Sequence, residues 1–344
     1  MTTTPATGTD ADGGNTSQSS AGRPDSHHAG LTASRFMRTY GLVVAWAVLV
    51  AFFSIARPDD FPTIGNFSTL AGSQAVLVIL TMGLLIPFSA GEFDISISGT
   101  ASISLVMVGW LNVIHGWPVT LAIAAALGLG IVIGLINAFF VVWIGVDSIV
   151  VTLGMGTLLV GAGVGINNLT TAGVSQALSD AVRTNVFSIP LGFYYGLALT
   201  ALVWYMFRYT PFGRYLYFVG AGRETARLSG IRVDAVRVMA FVASGFISAG
   251  AGVFMAGWLG ASDPNISTTF LLPTFAAAFL GATAISPGRF NPWGSFIAVY
   301  FLATGITGLE LLGLSGWIEQ VFYGASLVLA VALSRLAAGG RGSP

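Results

Sequence analysis

The sequence is 344 residues long, has no formal net charge, and is 54% hydrophobic but only 8% charged, with a mean hydropathy of +0.81. Since a soluble domain has about 25% charged residues, this composition indicates a protein that crosses a membrane many times. There is no cysteine, which excludes disulfides and thiolate metal ligands. All 14 basic residues are arginine. A phosphate-binding GxxxxGK[ST] loop needs lysine, so this chain cannot build that ATP site itself.

Side chains suited to catalysis are sparse. The histidines are His27, His28 and His115, so no metal-binding spacing such as HExxH is present. The motif GLSG around Ser315 is similar to that of intramembrane serine proteases, but no histidine follows it to act as a base. We therefore expect no catalytic residue, and no metal or cofactor held by this chain.

Apolar segments fill most of the sequence. Residues 1–34 are rich in Thr, Ser, Gly and Asp, cannot bury enough apolar surface to fold, and predict a disordered cytoplasmic tail. Later segments of about 20 apolar residues have the length that crosses a bilayer as a helix. They predict an all-α, polytopic integral membrane protein with a membrane domain at residues 35–338 and a C-terminal tail at 339–344. The predicted spans, about ten in number, are roughly residues 40–56, 68–89, 95–112, 119–143, 147–168, 191–207, 238–259, 270–285, 293–309 and 317–332.

The arginines fix the expected orientation of these spans. With the N-terminus inside, ten spans place only Arg57 and Arg183 outside, and all the other arginines in the cytoplasm. That distribution is the one the positive-inside rule requires. Residues 208–237 form a polar interruption that holds six arginines. One span more or fewer before this interruption would place it outside. Both termini are therefore predicted to be cytoplasmic.

This polar interruption contains a predicted short helix over residues 223–229. Gly222 precedes it, Glu224 and Arg227 are spaced to pair at i,i+3, and Gly230 stands where a left-handed C-terminal cap belongs. A helix this short is marginal alone. We expect a partner surface to support it, which makes it a candidate docking element.

The same loop carries a resemblance to a known family. Gly213, Arg214 and Tyr215, followed by the run Ala-Arg-Leu-Ser-Gly-Ile at 226–231, resemble the cytoplasmic loop of ABC-importer permeases of the ribose and xylose type. The resemblance implies a type II ABC importer-like permease in a bacterial inner membrane, as a homodimer or paired with a second permease. It also implies a separate ATPase subunit that binds ATP and Mg²⁺, and a solute-binding protein that delivers the cargo. The loop would then be the coupling helix, with the ATPase contact at Gly222, Arg223, Glu224, Ala226, Arg227, Leu228, Ser229, Gly230 and Ile231.

A second segment, Gly91-Glu92-Phe93-Asp94-Ile95-Ser96, follows the second span. Carboxylates so near the membrane require hydration, pairing or a helix start, and Asp94 is placed to cap the third span. The family carries a Gly-Ile-Asp-Leu-Ser-Val-Gly signature here, which this chain matches at Asp94 and Ser96 but not at Glu92. The resemblance makes Glu92, Asp94 and Ser96 candidates for a translocation path or gate. Asn167, near the end of the fifth span, is a further candidate for facing solute, or it only satisfies backbone groups.

Alternatives remain open on coupling and cargo. Arg57 and Arg183 are candidates for steering the binding protein by its acidic groups. An ion-coupled secondary transporter would need ionisable groups deep within its spans, and no predicted span has a clear one. The loop sequence favours a monosaccharide as cargo, while permeases for branched-chain amino acids or nucleosides share the implied fold.

Overall fold

The computed structural model describes residues 26–314 and 316–339, with side chains from 39 to 314 and from 316 to 332. Its regular structure is almost wholly helical, which confirms the all-α class. The tail residues 1–25 and 340–344 lie outside the described residues. The helices are α1 (Ser26–Ala56), α2 (Ile64–Ser73), α3 (Ala75–Ser89), α4 (Ile97–Gly109), α5 (Val119–Ala138), α6 (Ser148–Ile166), α7 (Gln176–Arg183), α8 (Leu191–Tyr209), α9 (Pro211–Ala221), α10 (Arg223–Leu228), α11 (Val233–Leu259), α12 (Leu271–Gly281), α13 (Pro292–Leu311) and α14 (Trp317–Gly339).

Short irregular and extended pieces connect these helices. A π-helical turn ends α4 at Trp110–Ile114 and another ends α5 at Phe139–Ile144, and a 3-10 helix, Ile266–Phe270, leads into α12. Two antiparallel pairs of strands lie in loops, and each strand is two residues long. The pairs are β1 (Thr171–Ala172) with β4 (Ala261–Ser262), and β2 (Asn185–Val186) with β3 (Ile189–Pro190).

Helices that are long and apolar enough to cross a membrane occur where the sequence predicted spans. Within the described residues, 7 spans are long and apolar enough to cross a membrane. They are Thr39–Ala56, Ile64–Ser89, Ile97–Ile114, Val119–Ile144, Ser148–Ile166, Val233–Leu259 and Pro292–Leu311. The three other predicted spans correspond to α8 and to the shorter apolar segments Ile266–Gly281 and Trp317–Ala332. A total of ten crossings therefore stays a prediction for those three.

The N-terminal boundary differs from the expectation. Helix α1 begins at Ser26 and continues without a break to Ala56, so residues 26–34, which the composition placed in a disordered tail, are helical. Helix α14 runs to Gly339, where the C-terminal tail was predicted to begin. The apolar helix of the first span therefore continues towards the N-terminus through residues 26–34, despite their polar composition.

Helix α11 is the centre of the domain, packed against α3, α4 and α5. Glycines allow these close contacts, as in other membrane helix pairs. A Cβ added at Gly130 or Gly134 of α5 would collide with the α11 backbone at Gly245 and Phe241. One added at Gly252 would meet the α4 backbone at Ala101. The α11 backbone is thus held directly against the backbones of two neighbours.

The remaining helices form the periphery. Helix α13 packs against α1, α8 and α12, and α14 packs against α12 and α13. Helices α5 and α6 leave much of their surface exposed, since only a minority of the residues in each span is buried. Exposed apolar side chains on these two helices face outward, as expected where lipid or another membrane helix covers the surface.

We expect Gly245→Val to destabilise the fold. Its side chain would collide with the α5 backbone at Gly130, and overpacking of this kind costs about 1–3 kcal/mol. Gly250→Val is the matched control, because the nearest atom to a Cβ there is Leu127 Cδ2 at 3.9 Å. The measurement is the thermal midpoint in detergent. An equal midpoint for the two variants would contradict direct backbone packing of α5 on α11.

Candidate functional site

The predicted docking helix is present as α10, which begins at Arg223 and ends at Leu228 with Ser229 as its cap. Its C-terminus is closed by two backbone bonds, from Ile231 N to Ala226 O at 3.1 Å and from Gly230 N to Arg227 O at 3.0 Å. Gly230 has φ of +81°. This is the Schellman arrangement, in which glycine takes the left-handed position. The predicted helix and its glycine cap are therefore confirmed, with the helix one residue shorter than expected.

One face of α10 is open and the other is buried. Leu228 is 82% exposed, and Glu224, Arg227 and Ser229 are exposed beside it. Arg227 lies 3.9 Å from Glu224, as the i,i+3 spacing predicts, and 3.7 Å from Asp234 at the start of α11. The open face therefore presents one large apolar side chain among charged groups.

Ala226 is buried, although it was predicted to contact the ATPase partner. It is 2% exposed and belongs to the main apolar core. Ile231 is half-buried against the same core. The Schellman turn brings these two residues together because its apolar contact joins the positions that flank the cap. Both residues anchor α10 to the membrane domain and are not part of the surface it presents.

At its other end, α10 is bound to a buried carboxylate. Arg223 Nη2 donates to Glu92 Oε1 at 2.7 Å, and Arg237 Nε donates to the same oxygen at 2.5 Å. Arg237 Nη2 also donates to the Val141 carbonyl at 3.3 Å. We call Glu92, Arg223 and Arg237 the Glu92 ion cluster. It joins the segment after α3, the start of α10, the first turns of α11 and the π-helical end of α5.

The three members of the cluster differ in exposure. The side chain of Glu92 is 2% exposed and that of Arg237 is 10% exposed, whereas Arg223 is 48% exposed. A buried carboxylate is tolerated when it is paired and hydrogen-bonded, and removing its partner is costly. The inner contact with Arg237 therefore anchors the carboxylate. The outer contact with Arg223 is half in solvent and is the one that a movement of α10 would change first.

Asp94, two residues later, organises a separate polar group. Its Oδ1 accepts from Ser96 N at 3.0 Å and from Ser96 Oγ at 2.6 Å, and its Oδ2 accepts from Ser244 Oγ on α11 at 2.6 Å. Asn137 Nδ2 donates to Ser96 Oγ at 2.8 Å. Burial raises the pKa of the Asp94 carboxyl, and the hydrogen bonds from Ser244 and Ser96 oppose that shift. Asp94 thus closes the turn before α4 and ties that turn to α11. The N-cap of α4 is Ser96, so the prediction that Asp94 itself caps the helix was wrong by two residues.

The backbone between α3 and α4 is held by α6. Phe93 N donates to Ser148 Oγ at 3.1 Å, and Ile95 N donates to Thr152 Oγ1 at 3.0 Å. Gly91, with φ of +75°, starts the segment. Side-chain hydroxyls here replace the partners that this non-helical backbone would otherwise lack. The carboxylates of Glu92 and Asp94 consequently project from a fixed backbone.

The arm that carries α10 is packed on the same end of the domain. Gly220 of α9 meets the Ser89 carbonyl at the end of α3 so closely that no Cβ fits. Tyr217 Oη donates to the Phe290 carbonyl at 2.7 Å, and Arg289 lies 5.7 Å from the Tyr217 ring centre. Helices α9 and α10 therefore contact the ends of α3 and α11 and the loop before α13.

The remaining predicted site residues lie elsewhere. Asn167 caps α6 at the end opposite Ser148 and bonds to Thr171 Oγ1 and Leu169 N, so it shapes a loop turn. Arg57 lies 3.8 Å from Asp60 in an exposed pair. Arg183 Nε donates to the Trp258 carbonyl at 2.7 Å. None of these three joins the group around Glu92 and Asp94.

Arg237, Asn137 and Ser244 were missed by the sequence analysis. Arg237 was counted among the arginines of the loop, although it stands at the edge of an apolar span. A carboxylate at the edge of a span, such as Glu92, needs a cationic partner there. The position of Arg237 at the edge of another span was therefore a signal that the two residues could pair. Asn137 and Ser244 lie within apolar segments where a lone polar residue gives no indication of its partner.

Comparisons with known proteins show the family to which the chain belongs. Residues 66–331 match the family described as "Branched-chain amino acid transport system / permease component". The chain is 26% identical to the D-allose transport system permease protein AlsC of Escherichia coli (strain K12), over 88% of this chain and 93% of that protein. It is 27% identical to the autoinducer 2 import system permease protein LsrD of Salmonella typhi, over 86% and 91%.

A third relative is the ribose import permease protein RbsC of Haemophilus influenzae, which is 27% identical over 86% of this chain and 93% of that protein. No solved structure matches. The family match covers most of the chain, including α10, the Glu92 ion cluster and the segments that hold them. This chain therefore belongs to the family of transport-system permease components, and it is a multi-pass protein of the inner membrane.

Proposed function

We propose that this chain is the membrane subunit of an ATP-driven importer, and that α10 is the helix through which a separate ATPase subunit acts on it. The observation that carries the proposal is the Glu92 ion cluster, in which one buried carboxylate joins the exposed α10 to the segment after α3 and to α11. The absence of lysine supports placing ATP and Mg²⁺ on the partner chain.

The exposed face of α10 supplies the surface for that partner. Leu228 extends into solvent as the apolar contact, and Glu224, Arg227 and Ser229 surround it with polar groups. A buried apolar anchor inside a polar rim is the usual anatomy of a protein interface. Gly222 and Gly230 delimit the helix and act through its geometry.

Movement of α10 would reach the membrane domain through three connections. Arg223 bonds to Glu92, Arg227 approaches Asp234, and the Ala226 side packs into the core. Two of these connections lead to the first turns of α11, which is packed backbone to backbone on its neighbours. Helices held in this way shift as rigid bodies between discrete packings. Closing of the ATPase subunits would thus change access to the path by displacing α11.

A monosaccharide is the cargo we propose. The relatives are named as permeases for D-allose, ribose and autoinducer 2, and the loop sequence at 226–231 resembles that of sugar permeases. The second candidate is a branched-chain amino acid, which is favoured by the description of the matched family. Uptake of labelled D-ribose, D-allose and L-leucine by cells that express the complete importer distinguishes these cargoes.

The complete importer would contain further parts. We propose a homodimer or a pair of related permeases, with two ATPase subunits on the side of α10 and a solute-binding protein on the opposite side. Both termini would be cytoplasmic, in agreement with the distribution of arginine. Arg57 and Arg183 remain candidates for steering the binding protein, although their contacts with Asp60 and with the Trp258 carbonyl already engage them in part.

Uptake should require ATP and a second chain. Proteoliposomes that hold this chain, its ATPase subunit and its binding protein should accumulate solute only when ATP is supplied on the α10 side. Proteoliposomes with this chain alone serve as the control. Accumulation by the chain alone under a proton or sodium gradient would reject the ATP-driven importer in favour of a secondary transporter.

Glu92→Gln should uncouple the ATPase from uptake, because it removes the charge that both arginines share. Breaking a buried pair costs about 3–5 kcal/mol, so the thermal midpoint should also fall. Arg237→Gln should lower the midpoint more than Arg223→Gln, since its side chain is 10% exposed and that of Arg223 is 48% exposed. Normal uptake by the Glu92 variant, or equal midpoints for the two arginine variants, would contradict the proposed linkage.

Gly230→Val should allow membrane insertion but separate ATP hydrolysis from uptake. A β-branched residue at φ of +81° is strained, by about 1–2 kcal/mol for an L-residue in the left-handed region, and this strain opens the end of α10. Gly222→Ala is the control, because Gly222 has φ of 174°, which any residue adopts. The ratio of solute transported to ATP hydrolysed is the measurement, and an unchanged ratio for the valine variant would argue against a coupling role.

A further inference from the structure

A cavity of about 250 Å³ lies inside the protein, between α3, α11, α12 and the start of α14. Helix α11 runs about 40 Å from its start beside α10, at 1.5 Å per residue, and the cavity is at its far end, near Trp258. The cavity is therefore separate from the Glu92 ion cluster and faces the side of the membrane opposite α10.

The cavity has an exposed rim and a buried floor. Glu319, Thr269 and Leu259 line it and are exposed, whereas Leu77 and Met255 are 1% and 2% exposed. This gradient from exposed to buried lining residues indicates an opening at the Glu319 side. A molecule that approaches from the side opposite α10 can therefore enter without crossing the apolar core.

Polar groups that keep unused hydrogen-bonding atoms converge on this cavity. Within the described part of the chain, neither the Tyr323 hydroxyl nor the Glu319 carboxylate forms a hydrogen bond, although Tyr323 is 6% exposed. The side chain of Gln74 donates to the neighbouring Ser73 Oγ at 3.2 Å, and its amide oxygen accepts no hydrogen bond from the described residues. These groups therefore offer hydroxyl, carboxylate and amide sites to a ligand.

Aromatic side chains supply the apolar part of the lining. Trp258 stacks on Phe254 at 6.4 Å with an angle of 12° between the rings, and the absence of a side chain at Gly72 leaves room for its ring edge. Phe270 lines the cavity nearby. The indole is thus fixed before a ligand arrives. Fixed aromatic surfaces beside a few polar groups are typical of small-molecule sites.

We infer that this cavity is a binding site within a single protomer for a small neutral polyhydroxy molecule of monosaccharide size, occupied on the way into the membrane. The aromatic side chains contact the C–H surfaces of the ring, and Gln74, Glu319 and Tyr323 bond to its hydroxyls. The volume is below the roughly 300–1,000 Å³ of pockets for drug-sized ligands, which suits a single sugar ring. The inference rests on the proposed function, because it names a place on the route of the same cargo.

The lack of cysteine makes a protection experiment direct, since any introduced thiol is the only one in the chain. Thr269→Cys places a thiol at the cavity rim. Thr268→Cys is the matched control: Thr268 is the preceding residue and does not line this cavity. Both residues are exposed, and both hydroxyls donate to a backbone carbonyl, at 2.7 Å from Thr268 and 2.8 Å from Thr269. Thr268 instead lines a separate cavity beside α4 and α6, so the two variants differ in which cavity they face.

Labelling is carried out with a membrane-impermeant maleimide on the full chain in proteoliposomes, with rising concentrations of D-ribose, D-allose or L-leucine. We expect one of the sugars to slow labelling at position 269 about tenfold at about ten times its Kd, since the free fraction falls as 1/(1 + [L]/Kd). Labelling at position 268 should stay unchanged. Gln74→Met in the 269 variant should weaken protection by about three- to tenfold, the effect of one lost hydrogen bond.

Three outcomes overturn the inference: equal labelling rates with and without every sugar, equal protection at 268 and 269, or protection by L-leucine alone. If the 269 variant does not insert, Leu259→Cys tests the same rim, because Leu259 lines the cavity and is 37% exposed. ATP-dependent uptake is measured with the complete importer in parallel. Uptake without protection rejects the cavity and leaves the proposed function standing, whereas failure of ATP-dependent uptake rejects the function itself.

Discussion

The structure depends on neutralising one carboxylate in a place that water does not reach. Glu92 stands where two spans meet, and burying its charge alone would cost several kcal/mol. Two arginines from a distant part of the sequence meet this requirement, and one of them belongs to the exposed helix α10. Part of the charge that neutralises Glu92 therefore comes from α10, the helix that we propose a partner binds. A change in the position of α10 must alter the environment of a buried charge.

Much of the architecture could be predicted because membrane and helix signals are local. The length of apolar runs locates the spans, and Gly230 marks the end of α10 because a left-handed cap favours glycine. Both signals depend on residues close together in the sequence. Both signals can therefore be recognised in the sequence without knowing which helices are neighbours.

The assembly of the site could not be predicted, since it depends on which helix ends meet. Arg237 stands at the edge of a span, but the loop sequence pairs neither Arg237 nor Arg223 with Glu92 until the end of α3 is placed beside them. Ala226 was assigned to the partner surface because it belongs to the family motif, yet the Schellman turn directs it into the core. A motif preserves the residues that build a helix as well as those that touch its partner, and sequence spacing does not separate these roles.

The glycine contacts of α11 have a mechanical consequence. Where side chains separate two helices, rotamer changes can absorb a small displacement, and the disturbance fades along the interface. At Gly130, Gly134 and Gly245 the main chains of α5 and α11 are in contact. No side chain lies between them that could absorb a displacement by changing its rotamer. A displacement of Arg237 would then move α11 as one rigid body, including its Leu259 end. A change at one surface of the bilayer would thereby reach the other surface.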